Sequence, residues 1–365
     1  MRKILNITHN DLDGSAAGAC IRLAHSKDHV RTTPSDVFGV ARVLFKELTS
    51  TRRSYDRIIL SDCSIKIPGD RCSYEDDYVR RFDPSVGEYI GLSEWDVINT
   101  YLPELISQYV ANGGEFVVLD HHETALSMKE YYHTSLHDSS ILEKEDYKGI
   151  PRAGSELAQR YYEQETAILS SGNPRIGYAS AEIMELCGDL DCWRNPTGLA
   201  ADLGLACELM DDPMTMIEQL TAIIKHRATY PGMTTLQGCV YTSSQISYYI
   251  DQAKNQLAGA IAKAKQTAIT YPNNVTVVES GKFVSLVSHS IYTETEGIVV
   301  LTYPESPTKL SFRAHESNTH INLASFAREF GGGGHQFASG LKIPSGMTLE
   351  DIVSKLVKHA GNQSR

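Results

Sequence analysis

The chain has 365 residues, 41% of them hydrophobic, and its 34 basic against 45 acidic side chains leave a net charge of −11. That length and composition suit two globular domains, each with a core that needs no disulfides. The acidity argues against a protein that tracks long nucleic-acid duplexes, which normally presents an excess of Lys and Arg.

The first residues form a strand pattern followed by polar positions, so neither a signal peptide nor a span of roughly 20 apolar residues is expected. Segment 3–8 (KILNIT) predicts a buried strand, and 14–27 a small-residue helix directly after it. The unit recurs: strand 57–61 (RIILS) ends in Asp62, and strand 115–119 (EFVVL), after a helix over 95–111, ends in Asp120. Strands alternating with helices imply an α/β fold with a parallel sheet, whose ligand crevice lies at the carboxyl ends of the strands. Residues 153–166 and 176–186 predict helices, and 203–224 a helical stretch that Pro213 interrupts. A long helical pattern over 244–269 reads as a connector. Beyond it lie predicted strands at 275–279, 283–288, 297–303 and 309–314, a helix over 322–330, a strand at 339–343 and a last helix at 348–359. The expected domains are therefore 1–240, a helical linker 241–272, and a smaller α/β domain 273–365. Residues 240–365 carry 11 basic against 9 acidic side chains and five histidines, so the acid excess belongs to the first part. Such asymmetry fits a metal-binding half and an anion-holding half.

The seven cysteines, Cys20, Cys63, Cys72, Cys187, Cys192, Cys207 and Cys239, are odd in number and form no CxxC, which speaks against a disulfide framework and a zinc ribbon. A reducing cytoplasm is expected.

Five segments offer chemistry. In His9-Asn10-Asp11-Leu12-Asp13-Gly14, an extended turn would put residues 9, 11 and 13 on one side, one imidazole and two carboxylates suited to Mn²⁺, Mg²⁺ or Fe²⁺. The plainer alternative is a helix cap, with Asp11 or Asp13 on free amides. Asp62 and Asp120-His121-His122 follow the other two strands. Three strand ends of one parallel sheet then deliver ligand-type residues to one crevice, and so many acids need cations. Their number fits two ions sharing a carboxylate. The turn 188–193 adds Asp189 or Asp191, against the reading of a simple capping turn with Trp193 as core. Finally, the four glycines before His335 would let the backbone approach an anion, with Arg313 as a phosphate fork.

In order along the chain, HNDLDG, SD, LDHH and GGGGHQFASG resemble the DHH phosphoesterase superfamily with its associated C-terminal domain. HNDLDG and DLDCW are similar to its oligoribonuclease-like branch. The resemblance implies metal ligation by His9, Asp11, Asp13, Asp62 and His121, with Asp62 bridging and Asp189 or Asp191 as the last ligand. It implies two divalent ions, Mn²⁺ first and Mg²⁺ as the alternative. His122 would stand beside the reacting phosphate, to stabilise its charge or protonate the leaving group. Arg313, Gly333, Gly334 and His335 would hold the substrate's remote end. The implied activity is phosphodiester hydrolysis of short RNA or DNA oligonucleotides or dinucleotides to 5′-mononucleotides. Related phosphoesters, namely cyclic dinucleotides and adenosine 3′,5′-bisphosphate, would use the same site, and a nucleotide sensor without hydrolysis is the alternative from another class. No membrane partner is expected, and a homodimer stays open.

Overall fold

The structure, a computed structural model, describes residues 1–36, 39–50, 55–65, 78–83, 88–122, 128–129, 132–168, 173–195, 197–232, 235–315, 317–318 and 320–363, with the backbone alone at 78–83, 88–97, 99, 335 and 362–363. The chain divides between Ile250 and Asp251 into two compact units.

The first unit runs β1 (Lys3–His9), α1 (Leu12–Ala24), β2 (His29–Ser35), α2 (Gly39–Leu48), β3 (Arg57–Ser61), β4 (Tyr78–Asp83), β5 (Glu88–Ser93), α3 (Glu94–Ala111), β6 (Glu115–Asp120) and β7 (Ile141–Leu142). Five helices follow: α4 (Gly154–Ile168), α5 (Pro174–Asp191), α6 (Gly198–Leu209), α7 (Pro213–Thr229) and α8 (Leu236–Thr242). The sheet has strand order β2-β1-β3-β6-β7 and is parallel throughout, while β4 and β5 pair separately and antiparallel. Its central strands β1, β3 and β6 are mostly apolar runs because both faces are covered. In β6, Val117 and Leu119 pack with α1, α4, α5 and α7. Phe116 and Val118, on the other face, meet Val40 and Leu44 of α2 and Ile98, Leu102 and Ile106 of α3. Each fully buried Ile or Leu contributes about 1.5–3 kcal/mol, so these two layers hold the sheet rigid beneath its strand ends.

The second unit begins within α9 (Ser244–Thr267) and continues β8 (Ile269–Tyr271), β9 (Val275–Glu279), α10 (Val284–Thr295), β10 (Ile298–Tyr303), β11 (Ser306–Ala314), α11 (Leu323–Arg328), β12 (Gly333–His335), β13 (Ala338–Lys342) and α12 (Leu349–Gln363). Its mixed sheet has the order β12-β13-β11-β10-β9-β8. Phe312 and Leu341 of the sheet pack against Phe326 of α11 and Ile352 and Leu356 of α12.

The α/β class with a parallel first sheet and a smaller second sheet is as the sequence implies. Four local features differ from the sequence reading or lie beyond it. Segment 283–288 is not a strand but the start of α10, because β9 and β10 pair in parallel and parallel neighbours need a crossover, here a helix. β2 and α2 have no counterpart in the sequence reading: β2 is an edge strand of polar residues around Pro34, without an apolar run. Residues 188–191 are no turn, since α5 continues to Asp191 and Cys192 caps it. The glycine cluster enters a strand, β12, which pairs with β13 although glycine disfavours strands; Gly334 has φ 134° and needs to be glycine there.

Candidate metal centre

The carboxyl ends of β1, β3 and β6 lie side by side in the parallel sheet, and each delivers one group of side chains. At the first, Asp11 is both cap and partner: Oδ1 accepts the Gly14 N–H at 2.9 Å, while Oδ2 lies 2.6 Å from His9 Nδ1. The capping alternative is therefore observed at Asp11, and it leaves the second carboxylate oxygen facing His9. The 9–13 segment is not extended, however, because α1 begins at Leu12. Asp13, in the first turn of that helix, is buried beside Asp62 and accepts the Ser155 N–H at 3.2 Å. Burial, then the charges of Asp191 and Asp11, push its carboxyl up to about 8.

Asp62 follows β3 in the left-handed region, φ 57°, a conformation Asp tolerates better than most residues. Its N–H donates to Leu119 O at 2.8 Å, which anchors this bend to β6. Burial and the nearby Asp13 and Asp11 carboxylates raise its pKa well above the ordinary range.

At the third strand end, Asp120 Oδ1 accepts from the backbone N–H of His121 at 2.9 Å and lies 2.7 Å from His122 Nδ1. Burial works against the imidazolium of His122, but Asp120 outweighs it and raises the group to about 9. Burial lowers His121 instead, whose Nε2 stands 3.2 Å from Asp62 Oδ1 and 3.5 Å from Asp191 Oδ2.

Donor atoms within 4.8 Å of one another form three groups among the described residues: His9, Asp11 and Asp62; Asp62, Asp120, His121 and His122; and His121, Asp191 and Cys192. Asp62 belongs to two of them. Asp62 Oδ1 and Asp120 Oδ2 are buried and accept no hydrogen bond among the described residues. Carboxylate oxygens left so, amid imidazoles and further acids, fit divalent cations with oxygen and nitrogen ligands.

Asp191 and Asp189 part company. Two residues apart on a helix means about 200° around its axis, so Asp191 faces His121 while Asp189 Oδ1 accepts from Arg194 Nε at 2.9 Å. Asp120 and Cys192 are neighbours of the centre that the sequence reading did not assign as ligands. Asp120 carried a signal, being the third acid at a strand end.

Arg313, Gly333, Gly334 and His335 belong to the second unit. Arg313 on β11 pairs with Ala338 on β13, which pairs with His335 on β12, so the three share one register position. The Arg313 guanidinium is half-buried and donates to Phe312 O at 3.0 Å. Among the described residues no helix is long and apolar enough to cross a membrane.

Residues 264–361 match the model of the DHHA1 domain. No curated protein matches the chain. Among solved structures, the chain resembles an exonuclease RecJ bound to manganese (12% identity, covering 100% of this chain and 90% of that one, TM-score 0.55). It also resembles the DHH domain of a member of the S1p family of ribosomal proteins (14%, 98% and 87%, TM-score 0.56) and a pGpG-specific phosphodiesterase, PggH, from Vibrio cholerae (11%, 100% and 100%, TM-score 0.52). At these identities the likeness is one of fold. Residues 264–361 thus carry a DHHA1 domain, and the chain as a whole has the fold of these exonuclease and DHH-domain structures, with the HNDLDG and LDHH segments at the carboxyl ends of β1 and β6.

Proposed function

We propose that this protein is a metal-dependent phosphodiesterase that hydrolyses short oligonucleotides or dinucleotides to 5′-mononucleotides. The observation that carries the reading is Asp62, a buried carboxylate common to two donor groups. In this reading His9, Asp11 and Asp62 hold one divalent ion, and Asp62, His121 and Asp191 a second, with Mn²⁺ or Mg²⁺ as the metal. Asp13, beside Asp62, belongs to the same acidic shell as a ligand of the pair, and Asp189 is left to Arg194. The RecJ structure with manganese and the pGpG-specific phosphodiesterase support the metal and the substrate class.

When bound, the ions supply Lewis-acid polarisation of the phosphoryl group. The chain's own contribution is charge and position. Asp120 holds His122 Nδ1, which directs Nε2 away from the carboxylate and favours the protonated ring. From Nε2 the imidazolium stabilises charge on the phosphate and passes a proton to the leaving oxygen. In the same reading residues 1–240 carry the chemistry, 241–272 connect, and 273–365 hold the remote end of the substrate through Arg313, Gly333, Gly334 and His335.

The test is product analysis with Mn²⁺ on a 5′-labelled RNA dinucleotide, a long RNA strand, a cyclic dinucleotide and adenosine 3′,5′-bisphosphate. Rapid cleavage of the dinucleotide with a slow long strand is the expected result. Turnover of the cyclic dinucleotide alone or of the bisphosphate alone would replace the substrate, and silence on all four would overturn the hydrolase reading.

A further inference from the structure

β7 lies beside β6 with Leu142 paired to Asp120, so the segment leaving β7 emerges at the same end of the sheet as the metal centre. Residues 143–152 there form a small closed hairpin. Glu145 bridges Pro151, and Arg152 N–H donates to Lys144 O at 2.9 Å. At the tip, Asp146 Oδ1 accepts the N–H groups of Lys148 at 2.7 Å and Ile150 at 3.0 Å, and Gly149 supplies the left-handed residue, φ 77°. The far end is tied as well: Arg194 donates to Pro151 O at 2.8 Å, and the chain runs directly into Gly154, which touches Asp62.

This closed tip presents Tyr147 almost wholly to water, 89% exposed, with the Lys148 ammonium 5.3 Å from its ring centroid. Glu143, Glu145, Asp146, Tyr147, Arg152 and Arg160 line an open cavity of 440 Å³ beside it, within the roughly 300–1,000 Å³ of ligand pockets. Arg152 pairs with Asp146 and Arg160 with Glu143, so the cation left beside the ring is Lys148. A flat, exposed ring with an ammonium at its side, on a hairpin that leaves the sheet at its metal-centre end, is what a nucleobase stacks on.

We infer that Tyr147 is a stacking platform for a nucleobase adjoining the scissile phosphate, with the Lys148 ammonium favouring the attached phosphate. The inference rests on the phosphodiesterase reading and adds a specificity-determining residue to it. It assigns the short-strand preference in part to the first unit, since one stacked base contributes affinity without a long basic track.

The test is steady-state hydrolysis, with Mn²⁺, of an RNA dinucleotide and of the two analogues in which one or the other base is replaced by hydrogen. Tyr147→Ala should raise KM for the intact dinucleotide about ten-fold and leave kcat unchanged, the size expected for one stacked base. Tyr147→Trp should restore the wild-type KM. On the analogue lacking the stacked base, wild type and Tyr147→Ala should have the same KM. Turnover by wild type with an unchanged KM in Tyr147→Ala overturns this inference alone. No turnover of any of the three by wild type overturns the hydrolase reading and this inference with it.

Discussion

Gly154, the first residue of α4, lies against the side chain of Asp62: a Cβ at position 154 would overlap the Asp62 Cβ and Oδ1. With only a hydrogen there, α4 begins close enough for Ser155 N–H to reach Asp13. Two acids of the centre thus depend on one missing methyl group.

Gly154→Ala should therefore displace Asp62, although alanine favours a helix. We expect hydrolysis to fall by roughly 100-fold, the cost of about 1 Å of misplacement at a reacting centre, and stability to fall by about 1–3 kcal/mol from overpacking. A hydrolysis assay and a thermal melt check the two effects, and Mn²⁺ titration calorimetry checks their cause. An unchanged Mn²⁺ affinity would show that Asp62 is placed independently of residue 154.

The phase of α5 separates its two final acids. Asp191→Ala should weaken Mn²⁺ binding at least as much as the roughly 10–100-fold that loss of an outer partner costs. Asp189→Ala breaks a partly exposed ion pair with Arg194, worth about 0–1 kcal/mol, and should leave affinity close to wild type. Equal effects in the two variants would contradict the assignment of Asp191.

Asp62 is buried among like charges, so a neutral side chain should suit the metal-free fold better. In chelator, Asp62→Asn should melt at or above the wild-type temperature. With saturating Mn²⁺ the order should reverse, because only the wild type gains stability from the ion. Differential scanning calorimetry of four samples is sufficient, and a gain for the variant equal to that of wild type would remove Asp62 from the metal shell.

At the opposite, amino end of the sheet, His25 packs against Tyr161 with Nε2 at 2.8 Å from the hydroxyl. Burial, then the Arg57 guanidinium, lowers its pKa from 6.5 to about 4. The unfolded chain therefore binds the extra proton in that window. The stabilisation by neutral His25 is fully present above pH 6.5 and is lost as pH falls toward 4, about 3 kcal/mol in all. Urea titrations across this range should show a shallower decline for His25→Gln than for wild type. Parallel curves would mean that His25 does not stay neutral in the fold.

Much of this was legible beforehand for identifiable reasons. The strands KILNIT, RIILS and EFVVL are short apolar runs because both faces of a parallel sheet are buried, and each ends in a residue of the candidate centre. β2 and α10 were not. An edge strand shows little apolar pattern, and the Val-rich start of α10 suits either structure until the parallel pairing of β9 and β10 demands a crossover.

The sequence by itself determined the fold class, the three acidic strand ends and the place of the DHHA1 domain, since these depend on local patterning and on rare residue combinations at short spacing. Tertiary structure alone decided that Asp191 rather than Asp189 faces His121, that Asp120 holds His122, and that Gly154 makes room for Asp62. Those outcomes depend on where one helix ends and how two distant segments pack. A side chain's direction is set by helical phase and by neighbours far away in the chain, and neither is written in the residues beside it.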